Sequence, residues 1–82
     1  MPRLKEIHVD WNDNYGNGQV GLSCRASLET IRDNRIELRE GLRVKLYGDT
    51  LEAEGIVKLR PSGKVWIAEV VPGTLKEIDI GA

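Results

Sequence analysis

The sequence predicts a small, mainly β domain carrying one short helix. Three observations predict it. Between Glu40 and Pro72, three runs with strand character follow one another, separated by turn residues. The chain has no Phe and one Met, which leaves the core to Val, Ile, Leu, Ala and two Trp, a β-branched bias that suits strands. At 82 residues there is room for one core only, so residues 1–82 form a single domain.

The elements follow in order. A first strand is predicted from Leu4 to Trp11, where Ile7, Val9 and Trp11 alternate with His8, Asp10 and Asn12. Asn17-Gly18 is the dipeptide that a two-residue hairpin turn prefers, because both residues take positive φ. A second strand then places Val20, Leu22, Cys24 and Ala26 on one face. With Gly16 facing Gln19, the hairpin register sets Trp11 opposite Cys24, Val9 opposite Ala26 and Ile7 opposite Leu28; Asp13 opposite Leu22 is the exception, which leaves room for a longer loop or a bulge. Residues 27–35 change period. Ser27 is a candidate N-cap, Glu29 suits the first turn, and Leu28 and Ile31 share a face, giving a helix of about two turns.

Three strands follow. Leu42, Val44 and Leu46 face one way, with Arg43, Lys45 and Tyr47 opposite. Next, Ala53, Gly55, Val57 and Leu59 face inward, while Glu52, Glu54, Lys58 and Arg60 face water; Gly55 marks a sharp bend or bulge. Pro61-Ser62-Gly63 turns the chain. Lys64 to Val71 is apolar on both faces, which predicts a central strand with the short helix as candidate cover for Trp66, Ala68 and Val70. Lys76 to Ile80 closes the chain as a possible last strand.

Short strands at this spacing, with a mid-strand glycine, point to a small closed barrel. From Gly41 to Ile80 the pattern resembles SH3-like barrels. Gly41-Leu42-Arg43-Val44 and Glu54-Gly55-Ile56-Val57 are similar to the KOW motif of ribosomal and transcription proteins, and Trp66-Ile67-Ala68-Glu69-Val70 to the matching strand of Tudor-type barrels. The resemblance implies an SH3-like barrel of about five to six antiparallel strands. It departs from these families where their activities sit. A Pro-rich-ligand groove or a methyl-lysine cage needs several converging aromatics, and the chain holds only Trp11, Trp66, Tyr15 and Tyr47. KOW proteins are basic, whereas this chain carries 12 basic and 13 acidic residues.

Candidate chemistry is sparse. Asp10-x-Asn12-x-Asn14 matches the start of a calcium loop, but Tyr15 stands where that loop needs Gly and Gly21 where it needs a bidentate Glu. It reads as turn chemistry, and no metal is expected. His8 and Cys24 fall on opposite faces of the expected hairpin, so no nucleophile–base pair is expected, and Cys24 reads as a small core residue. No Gly-rich phosphate loop, Ser-His-Asp set or multi-Cys spacing occurs, so neither a catalytic residue nor a cofactor is expected.

Two surfaces stand out instead. Arg43, Lys45, Lys58, Arg60 and Lys64 occupy outward positions on neighbouring strands, with Tyr47 beside them. They form a basic strip that could contact phosphates, unless Glu52 and Glu54 on the same side pair with it. Trp66 heads an apolar second face which, if left uncovered, would mark a partner or self-association surface. The expected function is a non-catalytic interaction module for another protein or a second copy of itself. RNA or DNA binding through the basic strip is the alternative, disfavoured by a net charge of −1. No apolar run spans a membrane, the N-terminus lacks a secretory signal, and one cysteine suits a reducing cytoplasm.

Overall fold

A computed structural model describes residues 4–16, 18–60 and 65–77. It is a mainly β fold with one helix. The elements are β1 (Lys5–His8), β2 (Asn14–Gly16), β3 (Gln19–Gly21), α1 (Arg25–Asp33), β4 (Arg43–Gly48), β5 (Leu51–Arg60), β6 (Val65–Val70) and β7 (Lys76–Glu77). They form one sheet in the order β1-β4-β5-β6-β3-β2, with β7 also paired to β5. The Pro61-Ser62-Gly63 turn, Lys64, Asn17 and the end of the expected last strand lie outside the described residues.

The centre of the sheet follows the hydrophobic pattern. Val44, Leu46, Ala53 and Val57 are buried, and the polar positions between them turn outward. β5 is ten residues long and serves two partners: its first part pairs with β4 and its second with β6, overlapping at Gly55 and Ile56. Gly55 sits where the strands press closest. A Cβ there would lie 2.6 Å from Leu46 Cδ1 and 3.2 Å from Ala68 Cβ. As expected, β6 is central, flanked by β5 and β3.

The first third of the chain differs from expectation. Gly16 does face Gln19, as the tight turn requires, and the bulge the Asp13 mismatch left room for lies between Asn14 and Gly16, but the hairpin ends at β2 and β3. β1 does not join it. Instead β1 runs parallel to β4, with Ile7 beside Leu46 and His8 beside Tyr47, so the sheet is mixed rather than antiparallel. Parallel neighbours need a long crossover, and here it contains β2, β3 and α1. After Val9 the chain turns away from the strand direction, and the Trp11 indole Nε1 donates to the Gly48 carbonyl at 2.9 Å.

The helix begins at Arg25, not Ser27. Cys24 is its N-cap, with Sγ accepting from the Ser27 N–H at 3.4 Å, so Cys24 is half-buried at a helix start rather than a core strand residue. Ile31 packs onto the core, while Leu28 is 53% exposed. The helix lies along β1, not over β6. Its polar residues Ser27, Thr30 and Asn34, spaced to share a face, meet the free edge of β1. Ser27 Oγ donates to the His8 carbonyl at 2.6 Å. Thr30 Oγ1 accepts from the His8 N–H at 3.1 Å, and Asn34 Nδ2 donates to the Glu6 carbonyl at 3.2 Å. These bonds replace a strand ladder and close that edge. Trp66 lies on the core side of β6, half-buried and packed on the main cluster with Val70.

Two substitutions test this account in urea unfolding. Gly55→Ala places a methyl against Leu46 and Ala68, both 0% exposed and unable to withdraw. It is expected to cost about 1–3 kcal/mol. Ser27→Ala removes the donor to the His8 carbonyl and is expected to cost roughly 1–3 kcal/mol. Unchanged midpoints would contradict the close approach at Gly55 or the edge closure at β1, respectively.

Candidate functional site

On the face of the sheet away from the core, the register lines up charged and aromatic residues in rows. One row runs Glu6, Lys45, Glu54 across β1, β4 and β5. The next runs His8, Tyr47, Glu52, Lys76 across β1, β4, β5 and β7. Directly opposed and diagonal side chains on one face of a sheet are within reach of each other, and here they interlock. Lys45 Nζ lies 2.8 Å from Glu52 Oε2, Lys76 Nζ lies 3.4 Å from Glu52 Oε1, and Arg43 Nε donates to Glu54 Oε1 at 3.0 Å. His8 and Tyr47 stack, with ring centroids 5.1 Å apart.

These rows floor a cleft of about 670 Å³ lined by Leu4, Glu6, Lys45, Glu52, Glu54, Thr74 and Lys76. A smaller hollow shares Leu4 and Glu6 and extends to Tyr47 and Asn34 at the end of α1. Glu52 is the best sheltered of the ion-pair partners among the described residues, its side chain 16% exposed. The Lys45 ammonium, hydrogen-bonded to it, holds its carboxyl below the usual glutamate value. Lys76 acts in the same direction, and partial desolvation opposes both.

The structure thus brings together three of the expected strip residues, Arg43, Lys45 and Tyr47. Lys58 and Arg60 stand further along β5. Lys58 Nζ pairs with Glu69 Oε1 at 3.3 Å, and Arg60 lies over the Tyr15 ring, 4.7 Å from its centroid. Lys64 lies outside the described residues. Trp66 faces the opposite, core side. Glu52 and Glu54 pair with the strip, so it is a ladder of alternating charges rather than a basic surface. Sequence reasoning missed the parts played by His8, Thr74 and Lys76. His8 and Lys76 enter through strand pairings, β1 with β4 and β7 with β5, and Thr74 through its hydroxyl on the Glu54 backbone, none of which alternation alone specifies.

The remaining candidates have plain partners. Asp10 Oδ1 accepts from the Asn12 N–H at 2.9 Å, and the Asp10 carbonyl from the Asp13 N–H at 2.9 Å, so the Asp-Asn run holds a turn. The Cys24 thiol lies 3.1 Å from the Ser27 hydroxyl, while the His8 ring stacks on Tyr47. Among the described residues no cluster of three or more His, Cys, Asp or Glu is set to hold a metal ion. No helix among them is long and apolar enough to cross a membrane. Compared with known proteins, the chain matches no family model, no curated protein and no solved structure.

The Glu52 clamp carries a pH signature. Its folded pKa lies below the unfolded one, so its contribution to stability is full above the ordinary glutamate value of 4.5 and is lost as pH falls through the lowered value. Glu52→Gln removes that contribution at every pH. The stability gap between native and variant chains is therefore expected to be widest near neutrality and to close in acid. A gap that stays constant with pH would contradict the clamp.

Proposed function

We propose that this domain is a non-catalytic binding module that contacts another protein through the outer-face cleft between β1 and β7. The observation that supports this most is the interlocking of Lys45 and Lys76 on Glu52 and of Arg43 on Glu54. Charges held in place before binding present a fixed pattern to a partner and lose less freedom on association. The same clamp makes Glu52 a weaker base than a free glutamate, the reverse of the upward tuning that general base catalysis uses.

RNA or DNA binding is the second reading. Arg60 stacked on Tyr15 favours it, since arginine and aromatic faces both accept bases. Against it, Arg43, Lys45 and Lys58 each already face a carboxylate that a phosphate would have to displace. An SH3-like architecture goes with the module reading, on the strength of the long β5 with Gly55 in its middle. So does a cytoplasmic setting, in which the single cysteine stays a thiol.

Capture of partners from native extract, with and without nuclease, separates the two readings. Capture that survives nuclease and weakens by roughly tenfold with Lys45→Glu, a loss of about 1.4 kcal/mol, is the expected result. Capture abolished by nuclease, together with a gel shift lost in Arg60→Ala, would establish the nucleic-acid reading instead.

A further inference from the structure

The charges that floor the cleft do not pair one to one. Lys45 and Lys76 both lie on Glu52, at 2.8 and 3.4 Å, and Arg43 lies on Glu54 at 3.0 Å. Glu6, opposite Lys45 in the strand register, is exposed, and among the described residues its carboxylate makes no hydrogen bond or ion pair. An incoming carboxylate would therefore have to displace Glu52 or Glu54 from its cation, whereas an incoming cation displaces nothing at Glu6. The surroundings of Glu6 favour the same sign. Glu6 borders the smaller hollow, about 370 Å³, together with Leu4, Tyr47 and Asn34. Asn34 Nδ2 donates to the Glu6 carbonyl, which orients the amide and leaves Oδ1 as an acceptor. The Tyr47 ring, held by its stack on His8, adds an aromatic wall, and aromatic rings attract cations. Leu4 is 36% exposed and offers apolar surface to a methylene stem. Lys5 also borders the hollow, but alternation along β1 sends its side chain to the face opposite Glu6.

We infer that this hollow takes a lysine or arginine side chain from a basic segment of the partner protein, with Glu6 as its carboxylate, Asn34 Oδ1 as a second acceptor and Tyr47 as the ring wall. This rests on the reading of the domain as a protein-binding module and specifies the chemistry of the partner. A carboxylate, an amide oxygen and an aromatic ring all suit a donor-rich cation, and none suits an anion. The Glu52 clamp has a part in this, since it draws the Lys45 ammonium towards β5 and leaves Glu6 open on the β1 side. The rest of the partner lies along the clamped charges of the larger cleft, which is why Lys45→Glu weakens its capture.

Two blocked tetrapeptides, one of arginine and one of glutamate, test it by NMR titration of the isotope-labelled full chain. The arginine peptide is expected to shift the backbone amides of Glu6, Asn34 and Tyr47 ahead of the rest. Glu6→Gln, at an exposed position, is expected to raise its Kd about fivefold, the upper span of an exposed ion pair. Glu37→Gln removes the same charge from an exposed position outside the hollow, and at physiological salt, where distant charges are screened, Kd is expected to stay within about twofold. An unchanged Kd in Glu6→Gln overturns the inference. So do equal losses in Glu6→Gln and Glu37→Gln, because net charge alone would then account for binding. A glutamate peptide that shifts Thr74 and Lys76 while the arginine peptide shifts nothing overturns the inference and leaves the binding-module reading standing. No shift with either peptide overturns the inference and takes the cleft away from that reading as well.

Discussion

The bond from Ser27 Oγ to the His8 carbonyl ties the helix to the sheet, and the arrangement of the sheet follows from that tie. A strand lying parallel to β4 at the rim would leave its outer N–H and C=O groups open to any passing strand. The helix removes that exposure with Ser27, Thr30 and Asn34, which take the His8 carbonyl, the His8 N–H and the Glu6 carbonyl in turn. Ser27 is fully buried to do so. Once β1 is fixed there, Ile7 sits beside Leu46 and Val9 closes on the Tyr47 carbonyl, and both enter the core. The same placement sets His8 against Tyr47 on the outer face. One buried hydroxyl therefore connects the helix, the core and the candidate site.

What the sequence could and could not show follows from the kind of signal each feature leaves. Facing is written in alternation, so the inward set Val44, Leu46, Ala53 and Val57 and the outward set Arg43, Lys45 and Tyr47 were legible. Gly55 was read as a bend or bulge, yet both ladders pass through it without a register shift, and its missing Cβ serves the close approach of Leu46 and Ala68 instead. Pairing is not written in alternation. Ile7, Val9 and Trp11 match any apolar partner, and an adjacent turn made the local hairpin look sufficient, yet β1 joins β4 across a long crossover. The helix start was obscured because Cys24, an unusual N-cap, precedes a serine that looks like one. Ser27 serves the edge of β1 instead.

The outer face shows how strand register converts a charge count into a surface. Read along the chain, Arg43, Lys45 and Lys58 form a basic run. Read across the strands, each stands against Glu54, Glu52 or Glu69. Exposed pairs of this kind contribute little stability individually. They favour a register in which opposite charges meet, since a slip by one residue would turn them towards the core. Glu52 differs from the rest in being sheltered and held by two cations from two strands, so it couples β4 and β7 through β5.

Among the described residues, the sheet closes its margins in three ways. β1 is sealed by hydrogen bonds from a helix that is itself anchored in the core through Ile31. β2 is kept to three residues and broken by a bulge, which offers an incoming strand little to pair with. Among the described residues, β5 is covered at Leu51 and Glu52 by β7, and at Glu54 by the Thr74 hydroxyl and the Val71 N–H. Opening β1 would disturb buried groups, whereas Lys76 and Glu77 of β7 are exposed. The cleft lies beside this polar margin, with Thr74 and Lys76 in its lining.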